Sequence, residues 1–233
     1  MTKSRKKASV GRRPRAKGSD MNTRADILSA ARKVFALKGF SGTSMREVAE
    51  SARVNKAMIY YYFQDKVELY RAVLSDSFNA LKDIWKHDVF QGNASARTKI
   101  RKYIDGYIRF QHNNDELRKI LAMEFSTEGI KGDHMKWVAK NFFAENHASL
   151  VAILEAGMRS GELKKIDPFM AAIALIGMIV HVFVYMPIAP YLQKKRVDIS
   201  SVKLGAFVNE LFFRGVSAPK VNRKRIENPG GRS

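Results

Sequence analysis

From about residue 23 to residue 215 the apolar residues recur three and four positions apart, and no convincing alternation of apolar with polar residues interrupts them. A side chain returns to the same face of an α-helix after three or four residues and to the same face of a strand after two. This spacing therefore commits the chain to an all-α fold. The first helix is expected over residues 23–38, with Ile27, Ala31, Val34 and Phe35 on one face and Gly39 placed to end it. Ser44 followed by Glu47 is a capping box that starts a second helix with Val48, Ala49 and Ala52 inward, and Asn55 caps a short third helix. Asp65 caps a long fourth helix that runs towards Trp85. Five more are expected over residues 95–112, 115–125, 133–159, 168–186 and 200–215, about nine in all.

Charge divides the chain further. Its 233 residues carry 42 Lys plus Arg against 22 Asp plus Glu, a formal net charge of +20, which suits an anionic polymer or an anionic membrane as partner. Eight of those cations and no acid lie in the first nineteen residues, so residues 1–20 read as a disordered basic arm, as do residues 217–233 at the other end. The Gly11–Arg15 run in the arm suits a minor groove, though a general counter-ion to phosphate is the simpler reading. Without cysteine there are no disulfides, thiolate metal sites or Cys nucleophiles, and the polar start lacks the apolar core of a signal peptide. The expected location is the cytoplasm.

Two short helices joined by a tight turn, the second rich in Lys and Tyr and preceded by a bracing helix, make the plan of a helix-turn-helix. Ala49 and Ile59 would hold the pair together. The stretch from Thr23 to Leu74 then resembles the DNA-binding domain of the tetracycline-repressor (TetR) family. It carries Ala30, Ala31 and Phe35, the Lys38-Gly39-Phe40 run, Val48-Ala49, the Ile59–Phe63 run and Asp65-Lys66 with Glu68-Leu69. The resemblance covers about residues 21–75. It implies that Ser44, Tyr60 and Lys66 touch phosphates while Arg46 and the start of the third helix read bases. Lys56, Ala57 and Tyr61 would be this chain's own reading head, the Asn55 cap and Tyr62 complete the DNA-binding set, with Tyr62 divided between contact and core, and Phe63 would be core. Arg53 stands where the family usually has glycine, so it either accepts a left-handed conformation or changes the turn.

The organisation that follows is a helix-turn-helix domain over residues 21–81 and a helical ligand-binding and dimerisation domain over residues 82–216. Aromatics and methionines are frequent beyond residue 80, and the resemblance implies that some line a pocket for a small-molecule effector. Tyr107, Phe110, Met123, Phe143, His147 and His181 are the candidates, each of which is also an ordinary structural residue in any helical core. The apolar run of residues 168–187 is just long enough to span a bilayer, but Asp167-Pro168 opens it like a soluble helix, so it reads as a buried helix with no membrane partner. Leu175, Ile176, Ile179 and Phe183, with Phe207, Val208 and Leu211, are expected to form the seam of a homodimer.

Neither a nucleophile–base pairing, a phosphate loop nor metal-ligand spacing is legible, so no enzyme, cofactor or metal is expected. The leading expectation is a repressor that binds double-stranded DNA as a dimer and is released by a small molecule. An architectural DNA-binding protein without an effector is the alternative, and a membrane-bound protein using residues 168–187 ranks third.

Overall fold

The computed structural model describes residues 17–88, 92–125, 132–192 and 200–217, and the chain divides into two compact units that meet at Val73 and Leu74. Each unit is helical, and among the described residues the sole β-type pairing is an isolated bridge between Leu163 and Ser217. The division falls eight residues before the expected boundary at residue 81. Most of the proposed arms, residues 1–16 and 218–233, lie outside the described residues.

The first unit is built from α1 (Lys17–Lys38), α2 (Met45–Ser51), α3 (Lys56–Tyr62) and the start of α4 (Lys66–Asp88). α1 begins six residues earlier than its apolar periodicity. Ile27, Ala31 and Phe35 are buried with Val48, Ala49, Ile59, Phe63, Leu69 and Tyr70 in one core. Phe35 meets the Tyr70 ring edge-on at 4.8 Å, and Phe40 does the same at 5.1 Å. Gly39 ends α1 at φ 67°, and its N–H donates to the Phe35 carbonyl at 2.8 Å.

The second unit contains the remainder of α4 and α5 (Ala96–Asn113), α6 (Asp115–Glu124), α7 (Asp133–Val138), α8 (Ala144–Arg159), α9 (Pro168–Tyr185), the one-turn α10 (Ala189–Leu192) and α11 (Ser201–Val216). α5 is its centre: Ile100, Tyr103, Ile104, Tyr107 and Ile108 are buried, and it packs against α6, α8, α9 and α11. A π-helical turn over Ala139–Phe143 joins α7 to α8, so the single helix expected over residues 133–159 is continuous but carries one locally widened turn. Ser95, Asp167 and Ser200 cap α5, α9 and α11, each accepting a hydrogen bond from the backbone N–H three residues on.

Two expectations need correction here. The apolar helix α9 is not buried all round: Ala171, Ala172, Leu175, Ile179 and Phe183 are covered, whereas Phe169, Met170, Ile173, Val184 and Tyr185 are exposed. Consequently Leu175, Ile179 and Phe183, and Val208 on α11, belong to the protomer's own core and are not free to form a seam between copies. Ile176 is half-buried, and Phe207 and Leu211 are exposed as a seam requires.

Candidate nucleic-acid interface

The turn between α2 and α3 decides how the reading helix is presented. Ala52 ends α2, Arg53 takes φ 54°, and the N–H groups of Arg53 and Val54 donate to the carbonyls of Glu50 at 3.2 Å and Ala49 at 3.0 Å. This is the Schellman pattern, in which one left-handed residue returns two N–H groups to the last turn of the helix. Arg53 thus accepts the strained conformation and keeps the turn type, with its side chain exposed. The Asn55 side chain then accepts the Ala57 N–H at 3.0 Å and starts α3.

On α3, Ile59 is fully buried and α2 packs against the helix, so the opposite side is left outward. Lys56, Ala57, Tyr60 and Tyr61 make up that outward side, with Tyr61 73% exposed. The pairs 56/60 and 57/61 lie one helical turn apart, so the four form a contiguous patch. The Lys56 ammonium sits 5.6 Å from the Tyr60 ring centre, which leaves a cation and two phenol hydroxyls at the surface. Tyr62 is half-buried, edge-on to Tyr61, and Phe63 is core.

Arg46, on the exposed side of α2, donates through Nε to Glu50 Oε1 at 2.9 Å. That hydrogen bond, helped by the carboxylate's charge, raises the guanidinium's pKa. A bond through Nε leaves its two terminal nitrogens available for bidentate contact. Ser44 is turned onto Glu47: its N–H and hydroxyl both donate to Oε2 at 2.9 Å, and its oxygen accepts the Glu47 N–H at 3.3 Å. Lys38 pairs with the other oxygen of Glu47. The lysine, followed by the two serine donors, holds the Glu47 carboxyl down at about 2.

Lys66 occupies an unexpected position. Its ammonium donates to the carbonyls of Phe40 at 2.9 Å and Thr43 at 3.0 Å and lies 4.4 Å from the Phe40 ring centre. Two of its three protons therefore brace the α1–α2 turn. Periodicity and capping rules contain no signal for this contact, because the partners lie 23 and 26 residues away.

The effector candidates differ in burial, and none of them lines the groove between α5 and α11. Tyr107 and Phe110 are buried, and burial pushes the Tyr107 hydroxyl up to about 12. Phe143 is half-buried against Phe78, and His147 lies edge-on to Phe169. Met123 and His181 are exposed, the latter stacked on Tyr185.

Residues 27–73 match the family of bacterial regulatory proteins, tetR family, and the match covers the capped helices and turn just described. The chain is 32% identical over 145 residues to the HTH-type transcriptional repressor NicS of Pseudomonas putida. It is 30% identical over the same length to the HTH-type transcriptional regulator RutR of Escherichia coli. The first alignment covers 60% of this chain and the second 61%, and each covers 65% of the relative, just under two thirds. A tetR-family regulator from Rhodococcus RHA1 shares the fold with a TM-score of 0.70 at 20% identity, over 85% of this chain and 98% of that one. The regulator FadR of Bacillus subtilis, solved in complex with stearoyl-CoA, does so with a TM-score of 0.66 at 20% identity, over 82% and 98%. With these caps and this turn, residues 27–73 thus form a helix-turn-helix DNA-binding domain of the tetR type of bacterial regulatory proteins.

Proposed function

We propose that the chain is a cytoplasmic, dimeric transcriptional repressor that binds a pseudo-palindromic operator and leaves it when a small molecule occupies its second unit. The observation that carries the DNA-binding part is the outward patch of Lys56, Ala57, Tyr60 and Tyr61 on a helix held from behind by Ile59. A lysine or the Arg46 fork can pair with guanine O6 and N7, Ala57 leaves room for a thymine methyl, and the tyrosines suit base or phosphate. The remaining proton of Lys66 is a phosphate donor at the α1–α2 turn, and Ser44 joins it once its hydroxyl leaves Glu47.

Dimerisation is supported by the apolar residues left exposed on α9 and α11, which pack on each other within one chain. Ile173, Val184 and Tyr185 with Phe207 and Leu211 replace the buried positions in the expected seam. Effector response is supported by the FadR structure with its acyl-CoA ligand. α4 has residues in both units, so it offers the route by which an effector alters the ~34 Å spacing that two reading helices need on successive turns of DNA.

The test is quantitative footprinting and titration of the full chain on upstream DNA. Arg46→Ala and Lys56→Ala should each weaken the specific site by about 1 to 3 kcal/mol and relax one base preference, leaving binding to scrambled duplex nearly unchanged. Equal losses on both duplexes would make these residues phosphate contacts. A footprint that spreads along any sequence would favour the architectural alternative.

A further inference from the structure

A groove of about 620 Å³ runs between α5 and α11, lined by none of the residues assigned above to DNA or effector. Along its α5 wall stand Arg101, Asp105 and Arg109, one helical turn apart, and Asn209, Val202 and Phe213 line it from α11. We propose that this groove binds the backbone of a free, zwitterionic amino acid with an apolar side chain. The inference goes beyond the proposed repressor function and does not depend on it.

The floor is tightly built. Gly205 lets the helices close, since a Cβ there would lie 2.8 Å from Asp105 Oδ1. The Asn209 amide donates to Asp105 Oδ1 at 3.2 Å and to the Gly205 carbonyl at 2.8 Å. Turning that amide over would face its oxygen to two acceptors, so its orientation is settled by its neighbours. Asn209 Oδ1 is then a buried acceptor with no hydrogen-bond partner among the described residues. A native interior seldom leaves such an atom unfilled.

The charges along the wall are not paired with one another. Arg101 and Arg109 are each four residues from Asp105, yet neither forms an ion pair with it among the described residues. Arg101 lies 5.6 Å from the Phe213 ring centre, and Arg109 is exposed. A guest that fits offers an anion to a guanidinium fork and, about one helical turn away, a cationic donor to the Asp105 carboxylate and the Asn209 oxygen. An α-amino acid carries both groups on one carbon, and the long arginine side chain spans the remaining distance. Val202, Ala206 and Phe213 provide apolar surface for its side chain.

Calorimetry of the full chain with L-leucine, N-acetyl-L-leucine and L-leucinamide tests the assignment without DNA. Leucine should bind saturably, one per chain, and more tightly than either blocked form by about tenfold or more. Arg109→Gln should bring leucine down to the level of leucinamide, and Asp105→Asn should bring it down to N-acetyl-leucine. Circular dichroism of both variants, which change only half-buried or exposed side chains, guards against misfolding. Absence of saturable leucine binding, equal affinity for all three probes, or variants that bind as the parent does would each overturn the proposal. Preference for N-acetyl-leucine alone would likewise overturn it, showing attraction of any anion to a chain of net charge +20.

Discussion

At the scale of single residues, the sequence was most legible where partners are close along the chain. Ser44 with Glu47 and Asn55 with Ala57 are capping contacts within three residues, and spacing alone predicts them. Lys66 shows the opposite case, because its carbonyl partners are brought to it by the fold of the whole first unit. Glu47 yields a pH prediction. Its carboxyl is held at about 2 against an ordinary 4.5, so the folded state favours the charged form. Its contribution is therefore complete above the ordinary value and is lost as pH falls from about 4.5 through about 2. An NMR titration of the Glu47 side-chain carbonyl should show this depressed midpoint, and Lys38→Met should move it upwards. A midpoint unchanged by that substitution would assign the shift to the Ser44 donors.

Elements were legible as periods and less so as surfaces. Start and end signals locate α5, α6, α9 and α11 to within a residue or two, since caps, Pro168 and the apolar stripe all agree. The π-turn at Ala139–Phe143 was not legible. Its widened turn puts Phe142 and Phe143 both against Phe78, at 4.5 and 5.7 Å, a tertiary requirement with no local signature. Near the end of α8, Gly157 is another residue whose role only packing discloses. A Cβ there would meet the Ala96 Cβ and the Leu163 Cδ1 at 2.8 Å. Gly157→Ala improves helix propensity yet should destabilise the chain by about 1 to 3 kcal/mol through overpacking, read as a lower denaturant midpoint at unchanged slope. An increase in stability would mean that α5 and Leu163 can withdraw without cost.

At the scale of the whole molecule, the main unresolved area is the apolar surface that the protomer does not cover itself. Only 28% of the most apolar window of α9 is buried, although its mean hydropathy of 2.1 would suit a membrane. Its Asp167 cap and its packing against α5, α8 and α11 favour a second copy of the chain as the cover. Ile173, 45% exposed, sits on that uncovered side, so Ile173→Glu should convert a dimer into a folded monomer in light scattering coupled to gel filtration. A variant that remains a stable dimer would place the seam elsewhere, and a parent protein that needs detergent would point to lipid.

The sequence by itself determined the helical class, most helix limits and the identity of the DNA-reading unit. These depend on periods, caps and a motif, all expressed among residues a few positions apart. Tertiary structure alone decided which side of α9 is core and which is free, which atoms Lys66 holds, and that Arg101, Asp105 and Arg109 share a groove with Asn209. The reason is physical: an apolar or charged residue declares what it needs to meet, whereas the partner that meets it is set by contacts made between distant parts of the chain.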